Sequence, residues 1–126
     1  MNVKAPSVCV SVKTEHLPKH PKSKDNKYAF AYHITISNQY PESLQLLRRY
    51  WLITDGNGKK VEVNGDGVVG EQPTIASGGN YQYSSGALLD TPVGTMEGHY
   101  EMQAENGEIV RAQIPLFTLA KPNSIN

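Results

Sequence analysis

Residues 28–37 read YAFAYHITIS. Side chains on a β-strand alternate between its two faces, and this decade alternates without a fault. Tyr28, Phe30, Tyr32, Ile34 and Ile36 share one face; Ala29, Ala31, His33, Thr35 and Ser37 share the other. That period of two marks a half-buried strand. Upstream, SVCVSVK at 7–13 repeats the pattern, with Val8, Val10 and Val12 opposite Cys9. The stretch between them, EHLPKHPKSKDN, is broken by Pro18 and Pro21 and predicts an exposed loop.

Downstream, NQYPES at 38–43 reads as a turn. LQLLRRYWLIT at 44–54 contains good helix formers. It runs, however, into Asp55-Gly56-Asn57-Gly58, a hairpin signal, with Lys59–Val63 returning. A strand is therefore the better reading. The glycine-rich segment 64–80 predicts only short extended pieces around Thr74 and Ile75. NYQYS at 80–84 reads as a strand, and SGALLDTPVG at 85–94 as a connecting loop. MEGHYEMQAE at 96–105 places Met96, Tyr100, Met102 and Ala104 together. Asn106-Gly107 marks a second hairpin, and EIVRAQIPLF at 108–117 returns until Pro115 interrupts its pattern.

About seven short strands with turns every ten residues or so, and no helix alternating with them, predict an all-β fold. The specific expectation is an antiparallel β-sandwich of the fibronectin type III or immunoglobulin-like kind. A chain of 126 residues that is 38% hydrophobic should form one domain, 1–126, with its core at about 5–120 and a loose tail at 121–126. Twelve Lys+Arg against twelve Asp+Glu leave no net charge, which argues against a nucleic-acid binder. No apolar run approaches the ~20 residues of a membrane span. The N-terminal MNVKAPSVCVSVKTE has no apolar leader core and no lipidation motif, so a cytoplasmic protein is expected. The single cysteine, Cys9, excludes an internal disulfide and a thiolate metal cage.

The sharpest motif is Gly65-Asp66-Gly67-Val68-Val69-Gly70, a G-x-G-x-x-G. In dinucleotide-binding folds this pattern needs a strand before it and a helix after it. Here Pro73 and Ser77-Gly78-Gly79 deny the helix. An acidic residue about twenty positions on exists in Asp90, but such a match is cheap. The motif is read as a structural turn, with a backbone anion nest as the alternative. His16 and His20 have metal-binding spacing only on a helix, which the prolines forbid. Lysines 13, 19, 22, 24 and 27 form a mildly basic patch. His33 and His99 fall on polar faces. No G-x-S-x-G is present, and Asp55, Glu62, Asp66 and Glu71 show no liganding pattern. No catalytic residue, metal site or cofactor is therefore expected. Arg48, Arg49, Tyr50 and Trp51 form a dense cluster, with Arg49 and Trp51 on one face and Arg48 and Tyr50 on the other. Trp51 reads as core; Arg48, Arg49 and Trp51 are also the candidate interaction surface, since these residue types dominate hot spots.

Several segments, FAYHITISN, LLRRYWLITDGNGK, VNGDGVVGEQP, YSSGALLDTPVGTMEGHYEM and IPLF, resemble in order and spacing the bacterial ApaG family. The resemblance runs from about Tyr28 to Phe117. It implies a fibronectin-III-like sandwich and a role linked to cobalt and magnesium resistance or efflux. Eukaryotic relatives suggest a protein-interaction module, and the length suits a stand-alone bacterial member. The family's link to diadenosine tetraphosphate brings pyrophosphate or dinucleotide polyphosphate into question at Gly65, Gly67 and Gly70. The combined expectation is a non-enzymatic binding or adaptor module with a protein partner and a weak phosphate ligand at most, with no nucleic acid and no membrane insertion.

Overall fold

The computed structural model describes residues 8–21 and 26–123. Residues 5–7 of the expected core, 124–126 of the expected tail, and Lys22 and Lys24 of the basic patch lie outside them. The strands are β1 (Val8–His16), β2 (Tyr28–Asn38), β3 (Leu44–Asp55), β4 (Lys60–Asp66), β5 (Thr74–Ile75), β6 (Asn80–Leu89), β7 (Val93–Ala104) and β8 (Ile109–Ala120). One sheet has the order β1-β2-β6 and the other β4-β3-β7-β8, with β5 paired to the start of β3. Every pairing is antiparallel. Three strands facing four is the fibronectin-III-like sandwich expected. The seven long strands are those foreseen, and the two-residue β5 is the eighth.

Register explains the core. On the first sheet Phe30, Tyr32, Ile34 and Ile36 face inward, opposite Ala87, Ser85, Tyr83 and Tyr81 of β6. On the second, Trp51, Ile53 and Asp55 of β3 lie opposite Gly98, Met96 and Gly94 of β7. Trp51, 2% exposed, joins the sheets. Its ring meets Tyr32 at 5.3 Å, Phe117 at 5.8 Å and Tyr100 at 6.4 Å, all edge-on. This is a favoured arrangement for aromatic quadrupoles.

One expectation is corrected, and one interruption is explained. Residues 85–94 are not a loop: β6 runs to Leu89 and β7 starts at Val93, leaving only Asp90–Pro92 between strands. Ser85, Ala87 and Leu89 continue the inward face of β6 opposite Tyr32, Phe30 and Tyr28. Their small or flanking character hid the period. The break expected at Pro115 is a bulge inside β8, which runs on to Ala120. Between Met96↔Phe117 and Gly98↔Ile114, β8 has two residues where β7 has one, a bulge at Pro115–Leu116. A proline lacks the N–H that a ladder needs and is tolerated at such a bulge on an edge strand. Beyond it the phase flips, so that Phe117 and Leu119 point inward after Val110, Ala112 and Ile114.

Asn38, 1% exposed, ties the sheets at one end. Its Nδ2 donates to the carbonyls of Glu42 (3.0 Å) and Ile75 (2.9 Å), and its Oδ1 accepts from the Tyr40 N–H (2.8 Å).

Trp51→Ala should cost roughly 3–5 kcal/mol through lost packing, a large fraction of the stability of a domain that typically has ~5–15 kcal/mol. Urea unfolding followed by far-ultraviolet circular dichroism checks this; an unchanged midpoint would mean that Trp51 is not the keystone of the core.

Candidate functional site

β3 carries a second bulge. Leu46 pairs with Met102 and Arg48 with Glu101, so Leu47 is one extra residue on β3. Leu44 and Leu46 point inward before it. Unbroken alternation would then send Arg48 and Tyr50 inward. The extra residue reverses the phase, and Arg49 and Trp51 point inward instead, opposite Tyr100 and Gly98. The carbonyl of Leu47 accepts the Gly67 N–H (2.8 Å) and the Gln72 side-chain amide (3.0 Å). One residue therefore aims Arg49 and anchors the glycine turn beside it.

Each motif glycine has its own reason. Gly65 lies opposite Arg49 on β4. A Cβ there would stand 2.7–2.8 Å from the guanidinium, so the missing side chain is the space Arg49 occupies. Gly67 has φ +62°, and a Cβ would meet the Glu71 carbonyl at 2.1 Å. Gly70 has φ +79° with open space around it. Val68 and Glu71 exchange N–H···O bonds of 2.8 and 3.0 Å across Val69-Gly70. Both central residues have positive φ, Val69 at 48°, so this is a two-residue type I′ turn. A β-branched residue is strongly disfavoured there, yet Val69 occupies it, 64% exposed.

The N–H groups of Gly67, Val68 and Glu71 are thus committed to carbonyls. Arg49 Nη1 donates to the carbonyls of Asp66 (3.0 Å) and Gly67 (2.9 Å). The loop turns oxygens toward a cation, the reverse of an anion nest. The anion-attracting group is the arginine itself. It is half-buried and, among the described residues, has no carboxylate within ion-pair distance. It opens on a pocket of about 300 Å³ lined by Tyr32, Tyr83, Ser85, Asp66 and the turn at 68–70.

Three phenols surround this charge. Tyr83 and Tyr100 share a hydrogen bond of 2.5 Å between hydroxyls. Burial pushes both far above the ordinary phenol range. Burial also raises Tyr32, against the opposing pull of Ser85 and Arg49. All three are neutral at physiological pH, so none answers the arginine's charge.

Of the candidate interaction surface, Trp51 is core, Arg48 is exposed on the outer face beside Glu101 and Asp66 in register, and Arg49 lines the pocket. Asp90 is held by Lys27 and by Lys59 (2.7 Å) and has no part in the glycine turn. Lys60 reaches Thr54, at the far end of β4 from the turn. His99 stacks on Tyr50 at 5.2 Å; burial, then Arg111, lowers its pKa.

One arrangement went unforeseen. On the outer face of the three-stranded sheet, His33 Nδ1 lies 2.6 Å from Ser84 Oγ and His33 Nε2 lies 3.4 Å from Glu15 Oε1. His33 and Ser84 are direct cross-strand partners. Only the long-range register of β2 against β6 brings them together, and local sequence carries no sign of it. All three residues are exposed, and His33 and Ser84 line an open depression of about 360 Å³. Among the described residues, no group of three or more His, Cys, Asp and Glu is placed to hold a metal ion.

The family model of the ApaG domain matches residues 18–104. A relative from Klebsiella pneumoniae (strain 342), named protein ApaG, is 49% identical over 124 residues, covering 98% of this chain and 99% of its own. A structural-genomics X-ray structure superposes with a TM-score of 0.91 at 46% identity, covering 98% of this chain and 94% of the other. The crystal structure of an ApaA protein from Bordetella pertussis does so at 0.87 and 40%, covering 98% and 100%.

Gly67→Ala should be strongly destabilising, because its Cβ would collide with backbone. Gly70→Ala should cost only the ~1–2 kcal/mol of a left-handed residue. Chemical denaturation of the two variants side by side checks the order; equal losses would refute these separate roles. Asp90, lowered to about 2 by Lys27 and Lys59, binds protons less readily folded than unfolded. Its stabilisation is therefore complete above the unfolded value near 4 and is lost as pH falls through about 2. Acid melting of Asp90→Asn should lack this part of the pH dependence, whereas an unaltered acid limb would show that the lysine pair contributes nothing.

Proposed function

Because this chain belongs to the ApaG domain family, we propose that it is a non-enzymatic binding module that receives an anionic group of a partner at Arg49. The observation that carries this is the half-buried guanidinium, fixed by two backbone carbonyls and facing the pocket, with no carboxylate at ion-pair distance among the described residues. Its charge is therefore available to a counter-charge from outside. The neutral hydroxyls of Tyr32, Tyr83 and Ser85 line the same pocket and are suited to orient an oxyanion.

A role in cobalt and magnesium homeostasis then runs through the partner rather than through a metal held by the described residues. The cytoplasm is the compartment in which such an adaptor would work. A pyrophosphate or dinucleotide polyphosphate at Gly65–Gly70 is the second reading, favoured by the arginine's position beside the turn. Against it stand the committed N–H groups and the carboxylates of Asp66 and Glu71 at the turn. A single carboxylate or a terminal phosphate fits one guanidinium better than a chain of phosphates does. The Glu15–His33–Ser84 row supports no hydrolytic reading. It is open to solvent, with His33, Ser84 and Glu15 all exposed on the outer face of the sheet.

Backbone and Arg49 Nε NMR titrations with acetate, inorganic phosphate, pyrophosphate and diadenosine tetraphosphate separate the readings. Monoanions should perturb Arg49, Ser85 and residues 66–70 with dissociation constants in the millimolar range, about −4 kcal/mol, and pyrophosphate should bind no tighter. Saturable micromolar shifts for the polyphosphates would put the second reading first, and silence at Arg49 with every anion would overturn both.

A further inference from the structure

The sandwich has four edges, and three are guarded. β1 carries Lys13 and Glu15, β4 carries Lys60, Glu62 and Asp66, and β8 carries Arg111, Pro115 and a bulge. Charges, prolines and bulges on edge strands oppose pairing with foreign strands. β6, Asn-Tyr-Gln-Tyr-Ser-Ser-Gly-Ala-Leu-Leu, has none of these. Its ten residues contain no charge and no proline, and its register against β2 is unbroken. β2 pairs one side of it; among the described strands none pairs the other.

This unguarded edge borders the Arg49 pocket. Tyr83 and Ser85 belong to β6 and line the pocket from one sheet, while Arg49 and Asp66 line it from the other. A strand laid along β6 at the usual ~4.8 Å spacing would run over that gap and point every second side chain into it. At the mouth stands Val69, exposed on a turn whose backbone disfavours it. An asparagine there would relax the turn but remove exposed apolar surface from the mouth.

We infer that β6 is a docking edge for an extended segment of another protein, which adds a strand to the three-stranded sheet and delivers an Asp or Glu side chain to Arg49. Main-chain hydrogen bonds supply the general affinity, and the pocket supplies the choice of side chain, the usual division in strand addition. The charge decides the occupant. A second copy of this chain pairing β6 to β6 would bring no acidic residue along that strand; an acidic foreign segment supplies what Arg49 lacks. The inference rests on the reading of Arg49 as an anion acceptor, and its test separates the two.

The probe is an acetylated and amidated heptapeptide of alternating Thr and Val with a central Asp, titrated into the full chain and followed by NMR. Saturable shifts should appear at amides 82–88 and at Arg49 Nε, with a dissociation constant below about 1 mM. The Asn analogue should bind at least ~10-fold more weakly, as loss of a charge-assisted contact requires. N-methylation of alternate residues along one edge of the peptide should abolish binding, and along the other edge should not. These changes are all in the peptide, so protein folding is not at issue. Shifts with acetate or phosphate but none with the peptide would overturn strand addition and leave the Arg49 reading standing; silence with all would remove both. Binding indifferent to N-methylation or to the Asp→Asn change also overturns it. So does sedimentation of the free chain as a dimer whose β6 amides are protected from exchange.

Discussion

One inserted residue governs the functional end of this molecule. A strand's side chains have a period of two, so a single extra position exchanges its faces. At Leu47 that exchange happens inside a buried strand. Before it, β3 contributes Leu44 and Leu46 to the core; after it, Arg49 and Trp51. A bulge also releases main-chain groups from the ladder, and the Leu47 carbonyl holds the glycine turn by the Gly67 N–H. Arg49 then closes the circuit by donating to Asp66 and Gly67, over a position where Gly65 leaves room. Arginine, turn and bulge specify one another.

That circuit explains why a motif associated with phosphate cradles serves a different end here. In an anion nest, successive N–H groups converge on the ligand. Buried backbone groups must be satisfied, and here the N–H groups of Val68 and Glu71 pair across the turn while that of Gly67 goes to Leu47. The turn's carbonyls are then left to face a cation. The glycines remain indispensable, but for positive φ and for close approach, and the anion-attracting group passes from the backbone to a side chain on a neighbouring strand.

The strands themselves were legible. Period two at Tyr28–Ser37 and at Met96–Glu105, and the Asp-Gly and Asn-Gly turns, are local signals, and local signals determine hairpins. The phase changes were not. Arg49 could be placed beside Trp51 on one face, but nothing local says that Leu47 is extra, because a bulge is defined by its partner strand. Pro115 was visible, yet whether a proline ends a strand or sits in a bulge depends on the opposite chain. The small residues of Ser85–Leu89 gave too weak an alternation to be called a strand without Tyr28–Tyr32 beside them. For the same reason the pocket could be named only in fragments: its walls come from β2, β3, β6 and the turn after β4, brought together by pairings tens of residues apart.

Two costs coincide at this pocket. Val69 holds a backbone conformation that its side chain opposes, and β6 presents an edge without the protections that every other edge carries. Each could be relieved by one substitution that leaves the core untouched: a glycine or asparagine in the turn, a lysine on the strand. Strain and unsatisfied valence tend to persist where the surrounding structure over-determines them and where they do work. Here both face the same opening, beside an arginine whose charge the described residues leave unanswered. The three meet at one pocket, between the edge of one sheet and the turn of the other, and that coincidence is what the proposed docking edge builds on.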